Sequence, residues 1–283
     1  MKFSISILVS CIMLVSCCKK INSTASDTGD SAATPVSLLS DHSLEGGLYL
    51  RGDVSGAPSA GEVLYPFGKK SDKPTWQLAE WASKYLLHQS NLVEKDGVKL
   101  YENAGKRVSF RREGNTTEVR MDVKASAEYD HPRKSGEGWP HLLIEQEFVK
   151  KPLLKDMENL FLHLEARLVD CVSKMPDNTF DPGLHTAQSQ LYLIIQNRNQ
   201  QSSKFGDYLW FGVPFYDYRH KKIAVYAAKD VGKDDATGKF IYCVGTDDYM
   251  EGSFHDKKWV TINKDLKPFI MQAVATAKER GYL

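Results

Sequence analysis

Apolar and polar residues alternate with a period of two over much of this 283-residue chain. In TTEVRMDVKA, Val119, Met121 and Val123 alternate with Glu118, Arg120, Asp122 and Lys124. In LFLHLEARL, Leu160, Leu162, Leu164, Ala166 and Leu168 alternate with Phe161, His163, Glu165 and Arg167. Successive side chains of a strand point to opposite faces, so this period predicts half-buried strands. Further strands are expected over 101–110, 142–148, 190–197, 208–218, 223–228, 240–244 and 259–262, separated by turn-forming clusters such as KMPDNTFDPG and KDDATGK. Short turns are expected over 75–88. A C-terminal helix is expected over 265–280, with Asp265 as N-cap and Phe269, Ile270, Ala273, Val274 and Ala277 along one face. Many strands and little helix predict an all-β fold, a jelly-roll β-sandwich with a C-terminal α-helix, as one domain over 62–283.

The N-terminus follows another pattern. In MKFSISILVSCIMLVSCCKK a basic start precedes an apolar stretch, 3–15, and a small residue before cysteine, which is the pattern of an export signal. The stretch is shorter than the ~20 residues a membrane-spanning helix needs. The string LVSC occurs twice, ending at Cys11 and at Cys17, and resembles the lipobox of bacterial lipoproteins. The resemblance implies a signal peptide over 1–16 and a lipid on Cys17, since cleavage before Cys11 would leave too short an apolar region. An ordinary cleaved signal is the alternative. From 17 to 61 the chain is rich in Ser, Thr, Ala, Gly and Asp and is expected to be a flexible tether. Arg51-Gly52-Asp53 within it is read as a chance triplet.

Lysine plus arginine, 37, nearly balance aspartate plus glutamate, 36, which argues against nucleic acid as a partner because no excess positive charge is available to release counterions. The pattern gives no oligomeric state. Cys171 and Cys243 lie in apolar, strand-like segments; both a disulfide between them and two buried thiols fit. His141, His185 and His255 are isolated and read as satisfied polar residues. Asp230, Asp234 and Asp235 read as a solvated turn, with a structural calcium as the alternative and no other cofactor expected.

The segment DYLWFGVPFYDYRHK carries the candidate chemistry. Leu209, Phe211, Val213 and Phe215 form a core face, whereas Tyr208, Trp210, Gly212, Pro214, Tyr216 and Tyr218 form an aromatic face with polar tips. In QSQLYLIIQNRN the matching outward set is Gln190, Tyr192, Gln196 and Arg198. Flat rings beside planar hydrogen-bonding groups suit sugar rings, which present C–H patches and hydroxyls. The expected ligand set is Arg120, Gln190, Tyr192, Gln196, Trp210, Tyr216 and Arg219. Burial of the same face under loops or the C-terminal helix is the second reading, and Trp139 reads as a cap on the core edge.

Sequences typical of serine esterases, zincins and P-loop proteins do not occur. Glu145 and Glu147 stand two apart on one strand, ~6–7 Å by strand rise, near the separation a retaining glycosidase uses. Thr117-Glu118-Val119-Arg120, Gln190-Leu191-Tyr192 and WFGVPFYDY resemble, in order, three motifs of the jelly-roll alginate lyases. That resemblance implies Arg120 and Gln190 as neutralisers of a uronate carboxylate and Tyr216 as a proton-transfer residue, although Thr116 replaces an arginine and Tyr192 a histidine of that pattern. Over longer stretches, including AEYDHPRKSGEGWPHLLIEQEF and KWVTINKDLKPFIMQAVATAKERGYL, the chain resembles uncharacterised exported proteins of polysaccharide-degrading Gram-negative bacteria with a galactose-binding or concanavalin A-like sandwich. The expectation is a lipid-anchored envelope protein, at the outer membrane, that binds polysaccharide without turning it over. A lyase or glycoside hydrolase on the same face and a structural lipoprotein are the alternatives.

Overall fold

The strands form where the period of two places them, because each pleat turns its apolar set toward a shared interior. The computed structural model describes residues 4–19, 35–54, 57–58, 62–69, 73–88, 90–114, 116–232 and 236–283. In chain order the strands are β1 (Ser4–Lys19), β2 (Val36–Ser37), β3 (Leu48–Arg51), β4 (Asp53–Val54), β5 (Ala57–Pro58), β6 (Val63–Leu64), β7 (Trp76–Ala79), β8 (Val93–Lys95) and β9 (Val98–Glu102). They continue as β10 (Lys106–Glu113), β11 (Thr116–Lys124), β12 (Leu143–Gln146), β13 (Met157–Val172), β14 (Gln188–Gln196), β15 (Tyr208–Asp217), β16 (Tyr226–Lys229), β17 (Phe240–Cys243) and β18 (Val260–Asp265). Two α-helices are present among the described residues, α1 (Ala125–Glu128) and α2 (Lys267–Glu279).

One large sheet runs β18-β13-β1-β11-β10-β9-β8, with β2 paired to β1. Two four-stranded sheets run β12-β7-β3-β6 and β14-β15-β17-β16, and β4 pairs with β5. Val108, Phe110, Leu162, Leu164 and Ala166 of the large sheet join Leu48, Leu50 and Leu78 of one small sheet and Leu209, Phe211 and Val213 of the other in a single buried cluster. The result is an all-β sandwich, with the large sheet packed against the two small ones. Ile270, Ala273 and Ala277 of α2 are fully buried in the same core, which closes the fold at its C-terminal end.

Several elements differ from the reading of the sequence. The tether expected over 17–61 is not one throughout: Leu44, Leu48 and Leu50 are fully buried, and β3 pairs with β6 and β7. Its few leucines were masked by polar residues in the averaged composition, and residues 20–34 lie outside the described residues. The strand expected over 101–110 is a hairpin that turns at 103–105, and β7 lies within the region expected to be turns. Asp265 ends β18 instead of capping α2; its Oδ1 accepts from the backbone N–H of Leu160 (2.9 Å) and of Lys267 (3.1 Å), tying β13 to the start of the helix. The segment read as an export signal forms β1, antiparallel to β11 and to β13 on its two sides.

A charged cluster sits inside this apolar frame. Lys106 is fully buried, and its ammonium donates to the Tyr85 carbonyl and to Glu128 Oε1 at 3.1 Å, with Glu80 Oε1 at 3.8 Å. Glu80 accepts from the N–H of Leu87 and Glu128 from those of Lys84 and Tyr85, so the cluster pins the segment after β7 to the large sheet. Burial is the main cause that pushes the Glu80 carboxyl up to about 7, with Lys106 opposing it.

Candidate binding cleft

The outer face of β14 and β15 is set by their register. Tyr192 pairs with Gly212, Ile194 with Trp210 and Gln196 with Tyr208, so these side chains share one face, and Gln190 joins them opposite Pro214. The odd positions Leu193, Leu209, Phe211 and Val213 turn inward and are buried, as the alternation predicts. Tyr192 packs edge-on to Trp210 with ring centroids 5.7 Å apart, and Trp210 meets Tyr208 in the same way at 5.6 Å. Edge-to-face geometry of this kind is favourable for aromatic quadrupoles. Trp210 Nε1 donates to Thr237 Oγ1 at 3.3 Å, which fixes the indole. The Tyr192 hydroxyl donates to the Cys243 thiol, and burial followed by that neighbour raises its pKa far above the usual phenol range. Tyr192 is therefore a fixed, neutral ring at ordinary pH.

Tyr216 does not belong to this face. Between Ser189 and Gln190 the register shifts, so that Gln190 pairs with Pro214 but Ser189 with Tyr216, leaving Phe215 as the extra residue of a bulge. One extra residue reverses the parity of everything beyond it. Tyr216 is buried at 4% exposure, its ring stands 4.7 Å from that of His255, and its hydroxyl donates to the Cys171 thiol. Burial first, and then Cys171, raise its pKa, which leaves this phenol unsuited to accept a proton from a ligand. Beyond the bulge Asp217, also buried, takes both Nε (2.8 Å) and Nη2 (2.5 Å) of Arg219 and Nε2 of Gln188 at 2.6 Å. Burial works to raise the Asp217 carboxyl but is outweighed by these donors, so it lies below its usual range.

Among the described strands, β14 pairs only with β15 and β12 only with β7, and these two free edges line one cleft of about 2950 Å³. Gln190, Tyr192, Gln196 and Trp210 line it on one side and Arg51, Trp81, Trp139 and Glu145 on another. The Arg51 guanidinium stands 5.1 Å over Trp81 and donates to Glu145 Oε1 at 3.0 Å and Gln77 Oε1 at 2.9 Å. Arg133 lies 4.8 Å over the ring of Trp139. Seven lysines or arginines line the cleft against four aspartates or glutamates, a local positive excess in a chain of nearly balanced charge. Of this second wall the sequence reading named only Glu145: Arg51 fell in the supposed tether, and Trp139, read as a core cap, borders the cleft.

Of the remaining expected residues, Glu145, Glu147, Tyr216 and Arg219 also border this cleft, whereas Arg120 does not. Arg120 lies on the large sheet beside core residue Val119, on the opposite strand face, and its Nε donates to Asp122 Oδ2 at 3.0 Å. The buried core therefore stands between Arg120 and the Gln190 face, and the two do not form a joint carboxylate site. Arg219 is engaged by Asp217 and by the Pro182 carbonyl. Glu145 pairs with Arg51, whereas Glu147 is exposed and paired with Lys151, which holds its carboxyl below the usual range. A catalytic acid needs the opposite shift. Cys171 and Cys243 are free thiols, which decides between the two readings of the pair. Cys17 pairs by backbone with Leu160 and Val36. Asp230 accepts from Thr237, and Asp234 and Asp235 lie outside the described residues. No described helix is long and apolar enough to cross a membrane. Compared with known proteins, the chain matches no family model, no curated protein and no solved structure.

Proposed function

We propose that this is a lipid-anchored protein of the bacterial cell envelope, attached through Cys17, that binds polysaccharide in the cleft without turning it over. The observation that supports this reading most is the Tyr192–Trp210–Tyr208 row, fixed by edge contacts and bordering a cleft that also holds Gln190 and Gln196. Rings held rigid lose little entropy when a sugar stacks on them, and the neighbouring amides orient its hydroxyls. The positive excess of the lining favours acidic glycans over neutral ones. The lyase and hydrolase readings gain no support from the geometry, since Arg120, Tyr216 and Glu147 are each engaged elsewhere.

The test is a glycan-array and polysaccharide-depletion screen of the full chain carrying Cys17→Ser, with ultraviolet absorbance followed for unsaturated uronate products. Trp210→Ala is expected to lose at least tenfold in affinity while binding proceeds without product. Product formation would replace this reading with the lyase, and absence of binding to any glycan would leave a structural role.

A further inference from the structure

The residues flanking β1 specify what belongs between them. Ser4–Ser10 pair with β11 and with β13, so three residues stand abreast in each row across the large sheet. Position 5 lies between Val123 and Cys171, position 7 between Met121 and Leu168, and position 9 between Val119 and Ala166, all apolar rows. The alternate rows are charged, and in each the two neighbours carry the same sign. Position 6 lies between Asp122 and Asp170, position 8 between Arg120 and Arg167, and position 10 between Glu118 and Glu165. In sequence, positions 6, 8 and 10 are Ser, Leu and Ser, which carry no charge, while Arg120 is paired with Asp122 of its own strand and Asp170 with Lys257. Arg167 Nε is buried with no hydrogen-bond partner among the described residues.

If the leader is cut before Cys17, the fold loses this strand. β11 and β13 would then stand two strand spacings apart, ~9.6 Å, too far to pair with each other. Their facing backbone groups would be left unpaired in the middle of the sheet, which is costly for buried donors and acceptors. Closing the gap would drag β13 and β18 across the buried cluster.

We infer that the position between β11 and β13 is a strand-acceptor site, held in the precursor by the leader and taken in the mature protein by an extended segment of another polypeptide. That segment runs antiparallel to both neighbours and reads apolar, Lys or Arg, apolar, Asp or Glu, apolar, Lys or Arg over positions 5 to 10. Opposite charge between two like charges relieves their repulsion, and the apolar residues complete the core rows. This inference rests on the proposed removal of the leader, which the N-terminal mass of the protein from its native host reports independently.

The test uses the unprocessed full chain in two forms, Ser6→Lys/Leu8→Glu/Ser10→Lys and the inverted Ser6→Glu/Leu8→Lys/Ser10→Glu. The complementary form is expected to melt several degrees higher, and the inverted form several degrees lower, than the parent. In trans, a synthetic peptide with the complementary residues 4–16 is expected to bind the chain starting at Cys17 at least tenfold more tightly than the inverted peptide. It should also restore amide-exchange protection over 116–124 and 157–172. Equal melting of the two forms, or full protection of those strands in the chain starting at Cys17 without any peptide, overturns the inference.

Discussion

The ring of Tyr192 lies over Gly212, with its Cε1 2.9 Å from where a Cβ on residue 212 would stand, and the Cys243 thiol is closer still. Glycine is required there because a neighbouring strand's ring and a thiol occupy the space that a side chain would take. Gly212→Ala is expected to cost about 2 kcal/mol in denaturant unfolding through overpacking. Its effect should be non-additive with Tyr192→Leu, by at least ~0.5 kcal/mol in a double-mutant cycle. Strict additivity would show that the ring does not depend on the glycine.

The Glu80 carboxyl, raised to about 7 in the fold, gives a second outcome. A carboxyl whose folded pKa lies above its unfolded one binds its proton more tightly when folded. Its contribution is complete below the unfolded value and is lost as pH rises through about 7. Wild-type stability should therefore decline between about pH 4.5 and 7 by up to roughly 3 kcal/mol from this group. Glu80→Gln should flatten that decline and be the more stable protein at pH 8. An unchanged slope in the variant would remove Glu80 as its source.

Asp217 behaves in the opposite sense. Its carboxyl is held below the usual range, so its contribution is present above the unfolded pKa and fades as acid reaches the folded one. Asp217→Asn is expected to lose about 2 kcal/mol at pH 7, because Arg219 and Gln188 lose their charged acceptor at a buried position. The difference from wild type should shrink below about pH 4 in urea titrations run at several pH values.

The two thiols give a readily measured outcome. Burial pushes both Cys171 and Cys243 up to about 11, with Tyr216 and Tyr192 respectively lowering each by a hydroxyl donation that burial outweighs. Thiolate is the reactive form, so neither should react with an aromatic disulfide reagent at pH 8 until the protein unfolds. Tyr216→Phe should leave Cys171 no more reactive, whereas rapid labelling of Cys171 or Cys243 in the folded protein, located by peptide mapping, would contradict their raised pKa.

Period two was enough to find β11, β13, β14, β15 and the apolar face of α2, because in each the buried set follows the pleat or the helical turn without interruption. It failed at Tyr216, where one bulged residue reverses the face and leaves no mark in composition. It also failed around Leu44, Leu48 and Leu50, whose burial depends on distant partners in β6 and β7. The Lys106, Glu80 and Glu128 cluster could not have been read, since charged residues separated by more than 20 positions meet only through the tertiary fold. Of the cleft, the sequence showed the aromatic wall and not the wall carrying Arg51 and Trp139. Two strand edges from separate sheets bring those walls to the same space.

The pairing of β1 also sets an order of events during synthesis. Residues 4–10 are synthesised well before their partners, which lie at 118–124 and 165–172. At translation rates of about 5–20 residues per second, the first residues wait roughly 8–30 s before both neighbours exist. For that interval an apolar segment of the nascent chain is without its strand partners. A translocation factor that captures it has this window in which to act, and capture and completion of the sheet compete for the same residues.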